Sequence, residues 1–148
     1  MSKSSSSVIL IEKFWESIPP AWRRTRNKIR QIALEEFKIS EEQFQVLRRI
    51  RKGNNSVSAL ADASLTSRSA VSRAVDSLVK RSFITRTQDP KDRRNIPLVL
   101  TNEGRRVMDA IYTEAEDWLS IHFGQMNSNE MDILLQGMEI LRKTLAEQ

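Results

Sequence analysis

Cysteine is absent from this chain of 148 residues, and histidine occurs only once. Without thiols there is no disulfide scaffold, no thiolate zinc site, no cysteine nucleophile and no thiol redox sensor. A lone His122 does not build a metal site. Long apolar runs are also missing. The longest early one is Val8-Ile9-Leu10-Ile11, and four residues are too few for a signal-peptide core or a membrane span. The expected location is therefore the cytoplasm, with no membrane partner. No glycine-rich phosphate loop and no nucleophile–base pair can be found, so neither an enzyme nor a cofactor is expected.

What the chain has is charge, unevenly placed. Hydrophobic residues make up 39% and charged residues 29%, a globular composition. Of the net +5, residues 1–40 carry +4, residues 41–101 carry +6 and residues 102–148 carry −5. A basic centre beside an acidic C-terminal part points to a polyanion at the middle and another role for the end. A solvated charged face explains the charge alone equally well.

Apolar spacing supplies the elements. Residues 1–7 read as a disordered serine-rich tail and residues 8–40 as N-terminal helices for dimerisation. Ile11, Phe14, Trp15, Ile18 and Trp22 form a helical stripe that Pro19-Pro20 interrupts. One helix is thus expected to end near Ser17 and another to run from Pro20 to Phe37. Ser40-Glu41-Glu42-Gln43 is a capping box that opens a helix with Phe44, Val46, Leu47 and Ile50 inward. Gly53-Asn54-Asn55 ends it, and Ser56 caps a short helix with Val57, Leu60 and Ala61. After the break Ala63-Ser64-Leu65-Thr66 comes a helix to about Arg81, which makes a helix-turn-helix. Two strand-like runs follow, Phe83 to Thr87 and Ile96 to Leu100, with Pro97 restricting the second to an edge role. Between them lies the basic tip Asp89-Pro90-Lys91-Asp92-Arg93-Arg94, the mark of a winged helix.

Thr101 opens residues 102–148, read as two C-terminal helices. Met108, Ile111, Ala115, Trp118 and His122 are spaced three, four, three, four; Met131, Leu134, Met138, Leu141 and Leu145 repeat the pattern. Such spacing serves helix–helix seams. Packing within one chain is the plain alternative. Because the winged segment 41–101 has only 61 residues and its flanks offer no third helical partner, a homodimer seam is favoured. Ile11, Phe14, Trp118, His122, Leu134 and Leu141 are its expected residues. The fold class is therefore mainly α with a small β-hairpin wing, a winged helix-turn-helix embedded in a helical dimerisation region.

With Val71, Ala74, Val75 and Leu78 inward, Ser69, Arg73, Asp76 and Lys80 point away and Ser72 flanks them. Short hydroxyls let a backbone approach the major groove of double-stranded DNA, and arginine reads guanine O6 and N7. Arg68, Ser69, Ser72 and Arg73 are the expected base-reading residues. Thr66 and Ser67, at the helix N-terminus, suit phosphate, as do Arg86, Arg49, Arg51 and Lys91. Arg94 and Arg93 at the tip suit a narrow minor groove. An aspartate beside DNA is electrostatically unfavourable, so Asp92 is assigned to orienting Arg94.

The helix from Thr66 to Arg81, the strand ending Ile84-Thr85-Arg86, the wing tip and Leu100-Thr101-Asn102-Glu103-Gly104-Arg105 resemble the MarR family of bacterial and archaeal regulators. The similarity is specific from about Gln43 to Arg105. It implies a helical homodimer with interleaved terminal helices, binding to pseudo-palindromic operators, and release of DNA by a small-molecule effector. Asp92 and Arg94 match the family's Asp-x-Arg wing element, and the helix with Arg68, Ser69, Ser72 and Arg73 matches its recognition helix. Ser82 stands where members usually have glycine, at a position that needs a left-handed residue. The family's effector location would place Trp15, Trp22, Arg26 and His122 near a pocket. Aromatic residues at helical spacing are more often core, so no effector site is assigned. Three other functions compete: a non-specific architectural binder, an enzyme, and a helical adaptor. The last leaves the wing arginines without a role.

Overall fold

The computed structural model describes residues 5–63, 67–87, 91 and 96–146. In chain order the elements are α1 (Ser5–Glu35), α2 (Glu41–Arg51), α3 (Val57–Asp62), α4 (Arg68–Lys80), β1 (Ile84–Arg86), β2 (Leu98–Leu100), α5 (Asn102–Phe123) and α6 (Ser128–Leu145). The molecule is mainly α with one small antiparallel sheet, in which Ile84 pairs with Leu100, Thr85 with Val99 and Arg86 with Leu98.

Local capping chemistry marks most helix starts. Ser40 accepts from the Gln43 amide while the Gln43 side chain accepts from the Ser40 amide, the reciprocal box read from the sequence. Ser56, Ser67 and Thr101 each accept from the amide three residues on. Asn127 and Glu130 form a second box at α6. Gly53, with φ 99°, follows α2 in the left-handed region, which only glycine enters without strain. At Gly104 the reason is space: a Cβ would collide with the Phe83 carbonyl, so glycine lets α5 start directly against the turn after α4.

Two boundary expectations are corrected. Pro19 and Pro20 do not divide α1, which runs unbroken for 31 residues. Each proline removes one amide donor, but the carbonyls that lose a partner, on Trp15 and Glu16, belong to exposed residues and can be hydrated. The apolar stripe keeps its helical register across the prolines, although most of it is exposed within this chain. The N-terminal tail is shorter than expected, since Ser5, Ser6 and Ser7 are already helical.

The core sits in the winged-helix lobe. Ile32 and Ala33 of α1, Ile39, the α2 stripe, Leu60, the α4 stripe, Phe83, Ile84, Leu98 and Leu100 close over Val107, Met108, Ile111 and Ala115 of α5. The first half of the α5 stripe is thus internal packing rather than a subunit seam. Only its continuation, Trp118 and His122, is left half-buried. His122 Nδ1 lies 2.8 Å from the Trp118 carbonyl, and Arg24 stands 5.9 Å from the centre of the Trp118 ring. No residue of α6 is buried.

Candidate nucleic-acid interface

The α4 face follows from its stripe. Val71, Ala74, Val75 and Leu78 are buried, so the helix lies on α2 and α3 and shows its other side to solvent. Ser69, Arg73, Asp76 and Lys80 are exposed and Ser72 is half-buried beside them, the arrangement expected from the periodicity. Arg73 has no polar partner among the described residues. Arg68 donates to Ser58 Oγ on α3 at 3.1 Å, which holds its stem across the helix-turn-helix corner. Ser67 is exposed, but its hydroxyl caps α4 and lies 3.0 Å from Ser69 Oγ. The phosphate contact expected at Ser67 would therefore fall to the helix N-terminus more than to a free hydroxyl.

Three expected phosphate-binding arginines are engaged within the chain. Arg86 on β1 pairs with Asp76 on α4 at 2.6 Å. That ion pair fastens the base of the wing to the recognition helix and neutralises the one acidic group on its outer face. Arg51 pairs with Asp109 on α5 at 2.8 Å and lies 5.7 Å from the centre of the Tyr112 ring. Arg49 reaches the Leu60 carbonyl at 3.4 Å. Lys91 is exposed. Thr66, Asp92, Arg93 and Arg94 lie outside the described residues, and with them the tip of the wing.

Several positioning contacts have no signature in the one-dimensional pattern. Gln43 Nε2 donates to Ser77 Oγ at 2.9 Å, tying α2 to α4. The capping-box spacing marks Gln43 but not this second bond. Asp76 reads as an outward residue, and only the turn after α4 brings Arg86 to it. Ser82 has φ 60°, the left-handed conformation that its position requires. Its amide donates to the Val79 carbonyl at 2.9 Å and that of Phe83 to the Leu78 carbonyl at 3.0 Å, a Schellman closure formed without glycine.

The expected dimer residues all lie away from the lobe's core. Ile11 is exposed and Phe14, Trp118, His122, Leu134 and Leu141 are half-buried. Leu10, Ile11, Phe14 and Trp15 of α1 face Ile140, Leu141 and Leu145 of α6 across an apolar groove of about 660 Å³. Trp15 and Trp22 remain 65% and 58% exposed, so within one chain they are not core. No helix among the described residues is long and apolar enough to cross a membrane.

Comparison with known proteins agrees with this geometry. Residues 39–96 match the model of the MarR family. The chain is 28% identical over 110 residues to the HTH-type transcriptional regulator YhbI of Bacillus subtilis (strain 168), covering 74% of this chain and 71% of that protein. Its fold is similar to the crystal structure of a transcriptional regulator from Thermotoga maritima, with TM-score 0.82 and 22% identity over 93% of this chain and 99% of the other. It is also similar to a variant of S. aureus MepR bound to an oligodeoxyribonucleotide, with TM-score 0.67 and 18% identity over 97% and 99% of the two chains. The matched segment 39–96 holds the helix-turn-helix and the first strand of the hairpin that follows it, and this part of the chain is similar to the MarR family of transcriptional regulators.

Proposed function

We propose that the protein is a sequence-specific regulator that binds a pseudo-palindromic DNA operator as a homodimer, acts in the cytoplasm as a repressor, and is released by a small-molecule effector. The observation that carries the DNA reading is the outer face of α4. Arg73, without a polar partner among the described residues, stands beside Ser69 and Ser72 on a helix whose opposite stripe is buried. Arginine reads guanine bidentately, and serine keeps the helix backbone close to the base edges. Arg68, held from Ser58, extends the same face.

In this reading Arg93 and Arg94 enter the minor groove and Asp92 orients Arg94. Lys91 and the α4 N-terminus at Thr66 and Ser67 meet phosphates. Arg49, Arg51 and Arg86 join them only by exchanging their present partners for phosphate, which costs part of each pairing. The homodimer reading is supported by the apolar surface of α1 and α6. A soluble monomer rarely leaves so continuous a patch uncovered. Release by an effector is the part supported by the resemblance to the MarR family alone.

Selection of bound sequences from random duplexes, followed by binding to the selected operator and to a scrambled duplex at one salt concentration, tests the proposal. Specific regulators separate the two by about a thousandfold or more. A ratio near one favours a non-specific architectural binder instead.

A further inference from the structure

Arg81 ends α4, and its side chain grips a distant part of the chain. Nη1 donates to the Lys38 carbonyl at 2.7 Å and Nη2 to the Phe37 carbonyl at 2.8 Å. The guanidinium also stands 4.6 Å from the centre of the Phe83 ring. Phe37 and Lys38 follow the last turn of α1. They are tied back to it by the Ile39 amide on the Ala33 carbonyl at 2.9 Å and by Lys38 Nζ on the Glu35 carbonyl at 2.8 Å. One half-buried side chain thus joins the C-terminal end of the recognition helix to the C-terminal end of α1.

The backbone at both ends of this bridge is unusual. Lys38 (φ 55°) and Ser82 (φ 60°) are the two non-glycine residues with positive φ among the described residues. One is gripped by Arg81 and the other follows it directly. Such conformations persist only where the surroundings over-determine them, and they concentrate at functional junctions. A planar fork with donors on two nitrogens meets two consecutive carbonyls at once. A lysine ammonium is a point donor and does so poorly.

The location gives the bridge its consequence. The N-terminal half of α1 lies in the apolar arm assigned to the subunit seam, and its C-terminal end is held by Arg81. We infer that Arg81 is a positioning residue that sets the angle between α1 and the recognition helix, and so determines which separation of half-sites the dimer accepts. In a helix-turn-helix dimer the two recognition helices must lie about one DNA turn apart, and a small rotation at each root changes that distance. This inference rests on the homodimeric DNA-binding reading above.

The test uses the full chain and duplexes carrying two selected half-sites, with their separation changed by one or two base pairs. Arg81→Met keeps the stem over Phe83 but removes the donors. It is expected to flatten the spacing profile, weakening the optimal duplex by about tenfold while changing the mis-spaced ones little. Arg81→Lys should fall between Met and the parent. A parental profile in folded Arg81→Met, or a uniform loss at every spacing, would overturn the inference. Because the chain has no cysteine, spin labels at Asn27→Cys and Ser69→Cys report the α1–α4 distance without DNA. The Met variant should broaden that distance distribution, and an unchanged distribution counts against the inference. If Arg81→Met fails to fold, the same two measurements on Arg81→Lys decide the matter, with a parental profile and distance overturning it. Loss of sequence selectivity in the unmodified protein would sink the DNA reading, while the α1–α4 distance still tests the bridge.

Discussion

The winged-helix lobe and the helical arm contain similar kinds of side chain and treat them in opposite ways. In the lobe, the apolar stripes of α2 and α4 and the inner faces of both strands are closed off from water. In the arm, made of the first half of α1, the end of α5 and all of α6, they are not. Fifteen of the eighteen exposed large hydrophobic residues among those described belong to the arm, from Val8 to Trp22 and from Ile121 to Leu145. The lobe therefore satisfies itself within one chain. The arm carries amphipathic helices whose apolar side needs another surface, and this makes it the half of the molecule fitted for self-association. Charge divides along similar lines, with the basic excess in the lobe's segment 41–101 and the acidic excess in 102–148.

The contrast breaks most severely if a charge is placed in the arm. Leu141→Asp puts a carboxylate on the groove between α1 and α6, and an unpaired charge in a closed seam costs on the order of 4 kcal/mol. Sedimentation should then show monomers that keep the helical content of the lobe. Unchanged association would remove α6 from the seam. In the lobe, Leu47→Ala empties a fully buried site, and the expected loss is about 3 kcal/mol of unfolding free energy in denaturant titrations. That loss should not depend on protein concentration. A strong dependence would mean that the lobe, too, relies on a partner.

Arg73→Ala leaves both regions folded and asks whether the lobe reads DNA. Specific binding should weaken by about 2 kcal/mol with relaxed preference at one base position. Equal loss on every sequence would reassign Arg73 to phosphate. A smaller effect of opposite sign is expected from Ser82→Gly, which relieves the left-handed strain and should raise lobe stability by about 1 kcal/mol. A lower Tm would show that Ser82 contributes something beyond its backbone conformation.

The smallest effect belongs to the arm's surface. Arg142 and then Lys143 hold the Glu139 carboxyl below its ordinary value, on the exposed side of α6. Because the folded-state pKa is the lowered one, any support for the last turns of α6 is present above the ordinary carboxylate value and fades as pH falls through the lowered one. Proton titration of Glu139 by NMR would show the shift. An unshifted value would mean that the two pairs are not held in solution.

Much of this was readable before any coordinates. The capping box at Ser40, the caps at Ser56 and Thr101 and the inward stripe of α4 are local codes, and each was met residue for residue. What misled was also local. Pro19-Pro20 reads as a break because the preference against proline is written into the dipeptide, whereas the exposure that lets the Trp15 and Glu16 carbonyls be hydrated is not. The regular spacing in α5 is the same for a seam within the chain and one between chains, and the structure buries it within the chain as far as Ala115 and leaves Trp118 and His122 half-buried. The pairing of Arg86 with Asp76, the bond of Gln43 to Ser77 and the bridge of Arg81 to Phe37 and Lys38 have no signature in spacing, because each joins residues brought close only by the turns between them.

The left-handed demand on Ser82 followed from the family resemblance, while the sequence taken alone determined where α2, α3, α4 and α5 begin, which faces of α2 and α4 turn inward, and the winged-helix order. These depend on neighbours within a few positions, where hydrogen-bond geometry and helical period leave few alternatives. Only the tertiary structure decided which arginines remain free to meet DNA and which are already held, and which apolar stripes are covered and which are not. Those outcomes depend on the positions of groups ten to more than forty residues apart, and a side chain has one place to go only after the fold has brought its partner within reach.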